Sequence, residues 1–288
     1  MLKYYISAIR PRQWTKNLIL FAGIIFAHRF FNGEAVLRSV LAFLDFCLLS
    51  ASVYLLNDLK DVETDRLHPV KCYRPIASGK IGLKTASVYF AVMAAAGIGL
   101  AMYIGGQYLI VAGAYFLMMI MYSLRLKHIV IVDMMVIAAG FVLRAVAGAV
   151  AVGVMISSWL LVCTTSLALF LVIAKRRHEV VLLGDNAKGH RKILEEYGDK
   201  FLDQMIAIVT ALTLISYILY TVDQTTIEKF HTHRLILTAP FVLYGIFRYL
   251  YLVYQKNMGG KPEEVLLNDL PLMAAIGLWV VTAMAIIY

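Results

Sequence analysis

Apolar residues fall along the chain in nine long blocks set apart by charged or polar breaks, at about 15–31, 36–57, 86–104, 106–124, 129–152, 157–174, 204–222, 235–253 and 270–287. Each block runs to roughly 17 residues or more, the length at which a helix rising about 1.5 Å per residue crosses a hydrocarbon layer of roughly 30 Å. The blocks are continuously apolar, not alternating, which excludes the strands of a membrane β-barrel, and a helix satisfies its own backbone hydrogen bonds in lipid. The pattern predicts an all-α polytopic membrane protein with nine transmembrane helices in one domain over residues 1–288. Pro11, Pro69, Pro75 and Pro262 lie between blocks, and Pro240 and Pro271 near block ends, so helix interiors stay intact. Residues 1–12 mix Leu2, Tyr5, Ile6 and Ile9 with Lys3 and Arg10 at helical spacing, which fits a short interfacial helix as well as a frayed basic start.

Composition agrees with the pattern: 61% of residues are hydrophobic and 16% charged, with mean hydropathy +0.77. A water-soluble enzyme of this length could not hide so much apolar surface. The three cysteines, Cys47, Cys72 and Cys163, have no CxxC or secreted-framework spacing, so neither disulfide nor zinc is expected. The formal charge of +9 is informative only through its placement. Twenty-one of the 27 Lys and Arg residues fall in the N-terminal stretch and the even-numbered loops, whereas the opposite side holds four, Arg29, Arg38, Lys229 and Arg234. The positive-inside rule then puts the N-terminus and the long loops near 58–85 and 175–203 in the cytoplasm, with Tyr288 outside. The first apolar run lacks a small-residue cleavage site and is expected to be retained. Nucleic acid is not an expected partner, because no separate basic domain or basic stripe interleaved with aromatics exists. Both long loops also carry acids, which an anchor for lipid headgroups does not need.

Those acids hold the candidate chemistry. On a helix advancing about 100° per residue, Asn57, Asp61, Asp65 and Asp58 lie near 0°, 40°, 80° and 100°, one arc at a membrane boundary, while Glu63 points away near 240°. Like charges so placed repel and require a counter-cation. Hard oxygen donors of this kind suit Mg²⁺, which takes one or two carboxylates and fills its shell with phosphate oxygens and water. Immediately downstream, Lys71, Arg74 and Lys80 add cations, so that acid face and basic loop together fit a diphosphate–Mg²⁺ site. His68 on its own fits a loop hydrogen-bonder better than a ligand. The second long loop opens on Lys175, Arg176 and Arg177, which also fit a plain positive-inside stop signal, and closes on Asp199 and Asp203, an i,i+4 pair entering the seventh block. The two acidic faces could oppose each other across a cytoplasmic mouth, and their placement suggests a weak repeat of helices 1–4 and 5–8. Inside the membrane, Asp133 and Arg144 share one face about 16 Å apart along the axis, too far to touch. An ionisable residue at that depth marks a site or a partner to one, so Arg144 fits an interhelical ion pair or an anionic substrate equally. Asp45 and Arg248 fit helix-packing partners.

The run Asn57-Asp58-x-x-Asp61-x-x-x-Asp65 followed by Arg74-Pro75-Ile76-Ala77-Ser78-Gly79 resembles the UbiA superfamily of intramembrane prenyltransferases. Arg10-Pro11-Arg12-Gln13-Trp14-Thr15-Lys16-Asn17, His68-Pro69-Val70-Lys71, Tyr122-Ser123-Leu124-Arg125-Leu126-Lys127, Gly140-Phe141-Val142-Leu143-Arg144-Ala145 and Lys175-Arg176-Arg177-His178-Glu179 are similar to its decaprenyl-phosphate phosphoribosyltransferase branch. The resemblance implies a bacterial inner-membrane enzyme, its active site cytoplasmic, that moves the phosphoribosyl group of 5-phosphoribosyl 1-diphosphate onto a polyprenyl phosphate. It implies Asn57, Asp61 and Asp65 as ligands of Mg²⁺, and Asp58, Asp61 and Asp65 as catalytic groups. It implies Lys16, Asn17, Lys71, Arg74, Tyr122, Lys127, Arg144, Lys175, Arg176, Arg177, Asp199 and Asp203 as substrate-binding residues, with Asp185 competing for the second acidic motif. Lys16 and Arg144 are the candidates for bringing the lipid phosphate to C1. Membrane lipids are expected partners, and a homo-oligomer is left open. An enzyme joining an isoprenyl diphosphate to an aromatic acceptor is the alternative within the superfamily. A transporter fits less well, because the acidic motifs gather at one mouth and not at the midplane.

Overall fold

The computed structural model of the chain describes residues 2–183, 196–260 and 262–288, so Asp185 lies outside the described residues. Among the described residues the regular structure is all helical, and the chain divides into two compact units, Met1–Ile156 and Ser157–Tyr288. The first unit contains helices α1 (Leu2–Ala8), α2 (Ala22–Phe26), α3 (Gly33–Lys60), α4 (Val62–Leu67), α5 (Leu83–Ile104), α6 (Gly106–Leu124) and α7 (Val132–Ala151), with 3-10 segments at Pro11–Phe21, Lys71–Tyr73 and Leu126–His128. The second contains α8 (Ser158–Leu183), α9 (Asp199–Val222), α10 (Gln224–Phe230), a 3-10 turn at Arg234–Thr238, α11 (Ala239–Gln255), α12 (Pro262–Asn268) and α13 (Leu270–Ile287). Among the described residues eight helices are long and apolar enough to cross a membrane, four in each unit. The chain is an integral membrane protein. The break between units, at residue 156, comes after the fifth block, 129–152, and not after the fourth, and leaves four long helices on each side.

The ninth predicted span takes a different form. Over 15–31 the chain does not make one long α-helix but continues from the 3-10 segment Pro11–Phe21 into α2. At about 2.0 Å per residue over residues 15–21 and 1.5 Å over α2, the helical part of the block reaches roughly 22 Å, short of the roughly 30 Å hydrocarbon layer. Packing explains the departure, since this stretch lies backbone to backbone on α7. A Cβ added at Gly148 would stand 2.0 Å from the Leu20 carbonyl oxygen, and one at Gly23 would stand 2.8 Å from the Ala149 nitrogen.

Helix α3 organises the first unit. Its N-cap Asn32 accepts from the Ala35 N–H at 2.9 Å, with Glu34 in the first turn and Lys60 in the last, each placed favourably on the helix dipole. Its 28 residues run about 42 Å. That exceeds the hydrocarbon thickness, and the surplus falls where the apolar block ends, at Asn57 and Asp58. Leu20, Phe46, Leu49, Val53, Tyr108 and Tyr115 form the buried core below this end. The N-terminal residues do form a helix, α1, and Ala8 packs with Leu55, Val62, Ile76 and Ile81 while Tyr5 meets the Tyr89 ring edge-on at 5.7 Å. In the second unit Arg248 donates two bonds to Asp269 at 3.1 and 2.9 Å, holding that carboxyl below its ordinary range, and so acts as the packing partner expected. Asp45 is likewise a packing group, accepting from the Tyr108 hydroxyl at 2.9 Å.

Candidate active site at the end of helix α3

Helix α3 breaks at Asp61 (φ −95°, ψ 10°) and resumes as α4, yet the Asp61 N–H still bonds the Asn57 carbonyl and the Asp65 N–H the Asp61 carbonyl. The acidic arc therefore survives the break. It separates into two pairs. Asn57 and Asp61 share Lys127, whose Nζ donates to the Asp61 oxygens at 2.7 and 2.8 Å and to Asn57 Oδ1 at 3.3 Å. Asp58 and Asp65 share Arg74, whose Nη1 donates to Asp58 Oδ1 at 2.9 Å and to Asp65 Oδ2 at 2.6 Å. These are the two edges of the ideal-helix arc, 0–40° and 80–100°. Glu63 sits on the outer face, 82% exposed, and bonds only Arg66 among the described residues.

A third cation joins from the N-terminal stretch. Arg10 donates to Asp58 Oδ1 at 2.5 Å and lies over the Tyr54 ring at 5.1 Å. It adopts left-handed backbone (φ 51°), rarely taken by a residue with a side chain, at the turn into Pro11. Three carboxylates thus meet three cations, and the pairing is largely sealed: Asp58 and Asp65 are buried, as is Lys127, whereas Asp61 keeps about a quarter of its surface open, at 27%. The counter-cation demanded by the clustered acids is supplied by the chain itself. Lys127 was among the expected substrate-binding residues; Arg10 carried no expected role. Nothing in one sequence reveals a partner 48 positions away.

Lys71 is half-buried in the 3-10 turn Lys71–Tyr73, its N–H donating to His68 Nδ1 at 3.3 Å, so His68 is a loop hydrogen-bonder. Tyr122 is half-buried in the last turn and a half of α6. Lys16 bonds Gln13 Oε1 at 2.5 Å. Asn17 and Arg144 lie with each other within the membrane-spanning part: Arg144 Nε donates to Asn17 Oδ1 at 2.8 Å, Nη2 to the Tyr115 hydroxyl at 2.7 Å and Nη1 to the Gly140 carbonyl at 3.0 Å. Among the described residues no carboxylate pairs with Arg144, and Asp133, fully buried in the first turn of α7, is not one of its partners. In the second unit Lys175 stands 4.0 Å from Glu179, which Arg176 also binds. Arg177 donates to Asp203 at 2.5 Å and lies 4.0 Å above the Tyr254 ring, and the Tyr254 hydroxyl donates to the same carboxylate. Asp199 is exposed at the start of α9 and accepts only from the Lys200 N–H among the described residues. Asp199 and Asp203 therefore do not act as a pair in this arrangement.

Among the described residues no three His, Cys, Asp or Glu side chains converge as a metal cage. The donors at the end of α3 are nonetheless all oxygen, with Asn57 and Asp61 adjacent at the open edge. That set fits a hard divalent cation which draws its remaining ligands from phosphate and water, the habit of Mg²⁺ more than of Zn²⁺ or Ca²⁺.

The chain is similar over nearly its whole length to two curated proteins, each named decaprenyl-phosphate phosphoribosyltransferase. That of Corynebacterium glutamicum is 32% identical over 98% of this chain and 86% of its own. That of Mycolicibacterium smegmatis is 31% identical over 98% of this chain and 92% of its own. Among solved structures, a UbiA homologue from Archaeoglobus fulgidus bound to GPP and Mg²⁺ superposes with a TM-score of 0.75 over 99% of both chains, at 19% identity, a likeness of fold. The model of the UbiA prenyltransferase family matches residues 18–268. The chain belongs to the UbiA prenyltransferase family.

Proposed function

We propose that this chain is a membrane glycosyltransferase that moves the phosphoribosyl group of 5-phosphoribosyl 1-diphosphate onto a polyprenyl phosphate and releases diphosphate. The observation that carries the reading is its 32% identity over 98% of the chain to a relative of that name. The site chemistry supports it. Three cations and three carboxylates within hydrogen-bond distance suit a substrate that brings both phosphate charge and a divalent ion.

In this reading Lys127, Arg74 and Arg10 change partners, leaving the carboxylates for the diphosphate oxygens of the donor. Asp61 and Asp65, with Asn57, would hold Mg²⁺, which when bound neutralises charge on the leaving diphosphate. Before the donor arrives Asp58, buried and shared by Arg10 and Arg74, gathers both guanidinium groups at the place where the diphosphate is to be met. The C1–O bond to diphosphate breaks with its electron pair leaving on oxygen, and a phosphate oxygen of the lipid forms the new bond at C1. That oxygen is already anionic, so no general base is required. Cations fixed in a largely sealed site stabilise the departing charge more than they would in water. Lys71 and Lys16 are assigned to the donor and acceptor phosphates. Lys175, Arg176, Arg177, Asp199 and Asp203 are further substrate-binding candidates of the second unit. The bacterial relatives support an inner-membrane location, and the distribution of Lys and Arg supports an orientation with the N-terminus and this cluster facing the cytoplasm.

Purified protein with Mg²⁺ and polyprenyl phosphate, offered donor labelled in the ribose ring, is expected to move label into the lipid phase. Failure there, together with prenylation of an aromatic acceptor from an isoprenyl diphosphate, would replace this reading with the alternative one.

A further inference from the structure

Arg144 is a cation held 5% exposed in a membrane-spanning helix, and among the described residues all of its hydrogen-bond partners are neutral. Burying a charge without an opposite charge is expensive, and what offsets it here is a shell of oriented dipoles and rings. Beside its three hydrogen bonds, the guanidinium lies 4.6 Å over Tyr115 and 5.4 Å over Phe141. Those bonds tie α7 to α6 and to the 3-10 segment, and Asn17 extends the tie to α3 through Cys47 Sγ at 3.3 Å and Ser50 Oγ at 3.5 Å.

The segment so held is unusual, because 3-10 runs longer than three or four residues are uncommon and need outside support. A 3-10 helix turns once in three residues, so side chains at i and i+3 stand in line. Asn17 and Leu20, three apart, are fully buried, Arg12 and Leu18, six apart, are exposed, and residues 13–16 are half-buried. Gln13 N–H bonds the Arg10 carbonyl at 2.9 Å and Gln13 Oε1 accepts from Lys16 at 2.5 Å, so a row of polar residues starts at the arginine on Asp58. Within the segment Gln13 and Lys16 stand in line, about 6 Å apart along the axis, whereas in an α-helix they would lie about 60° apart. Arg10, in left-handed backbone, heads the segment and turns back to Asp58.

We propose that Arg144 and Asn17 are a positioning pair: they lock the Pro11–Phe21 segment in its three-residue repeat so that Lys16 stands in line with Gln13 on the segment that Arg10 heads, and the acceptor phosphate is met by Lys16 from that segment, with Arg144 acting only through it. The proposal rests on the phosphoribosyl-transfer reading, and its test includes a measurement that does not depend on it. Arg144→Met is expected to raise KM for polyprenyl phosphate at least tenfold while KM for the donor changes less than threefold. Asn17→Asp separates positioning from contact: it keeps an oxygen for Arg144 Nε and adds a carboxylate that takes up its charge, and the Ser50 hydroxyl, an acceptor from Asn17 Nδ2 in the wild type, can turn to donate to that carboxylate. Positioning predicts an acceptor KM raised less than threefold. A guanidinium binding the lipid phosphate directly predicts a rise of tenfold or more, and that result overturns the proposal. Independently of turnover, hydrogen exchange in detergent should show amides 12–21 losing at least tenfold protection in Arg144→Met with α9 unchanged. Full protection of 12–21 in that variant overturns the lock even if no phosphoribosyl transfer is found for the wild type.

Discussion

Replacing Lys127 by Met removes one cation from the acidic pair Asn57–Asp61 and leaves the bulk of the side chain in place. The Nζ stands 2.7 and 2.8 Å from the two Asp61 oxygens. At about 3 Å and an effective dielectric of about 20, that attraction is roughly 5 kcal/mol. Desolvation of the buried ammonium, and water at the 27% exposed carboxylate, offset most of it. About 1–2 kcal/mol remains as the penalty that a divalent ion must meet to displace the lysine, or roughly 5- to 30-fold in affinity. Isothermal titration of the purified protein with Mn²⁺, without diphosphate, should therefore show tighter metal binding in Lys127→Met than in wild type. The donor should behave oppositely. Loss of one charge-assisted bond to its diphosphate is worth about 1.5–3 kcal/mol, a rise in KM of roughly 10- to 150-fold. A folding defect cannot strengthen one ligand while weakening the other. Metal affinity that is unchanged or weaker in the variant would refute the idea that Lys127 and the cation compete for Asp61.

Three further outcomes follow from the geometry. Asp65→Asn should abolish turnover in a radiolabel assay while the protein remains monodisperse by gel filtration, because the amide supplies no charge and leaves Arg74 only Asp58; full activity would remove Asp65 from the site. Gly148→Ala puts a methyl 2.0 Å from the Leu20 carbonyl oxygen and should cost about 3 kcal/mol, read as a lower thermal midpoint in detergent, with an unchanged midpoint contradicting the packing described. Glu63→Gln, on the exposed outer face, should leave both activity and midpoint close to wild type, within about 0.5 kcal/mol of stability.

Much of this was legible in the sequence, for identifiable reasons. Continuous apolar blocks can only be helices in lipid, so the eight long helices follow from hydropathy. The acidic arc follows from 100° steps, but its division into an Asn57–Asp61 edge and an Asp58–Asp65 edge is set by the cations that reach it, Lys127 and Arg74. What local pattern cannot carry is contact at long range. Arg10 reaches Asp58, Lys127 reaches Asp61 and Arg144 reaches Asn17 across 48, 66 and 127 positions. The first span failed as an α-helix because its backbone approaches α7 at Gly23 and Gly148, and a glycine in an apolar run reads the same whether it faces lipid or another backbone. Asp199 and Asp203 lie four apart in α9, as their spacing predicts, but spacing does not tell their partners: Asp203 meets Arg177 and Tyr254, and Asp199 the Lys200 N–H.

The central claim is that the cluster at the end of α3 makes diphosphate the leaving group of a phosphoribosyl transfer. It is tested most directly with donor carrying two labels, one in the ribose ring and one on the β-phosphorus, incubated with polyprenyl phosphate and Mg²⁺. The account predicts ring label in the lipid phase and an equal amount of phosphorus label in water as diphosphate, both lost in Asp61→Asn. Phosphorus label travelling into the lipid with the ring, or equal transfer by the Asp61→Asn variant, would contradict it.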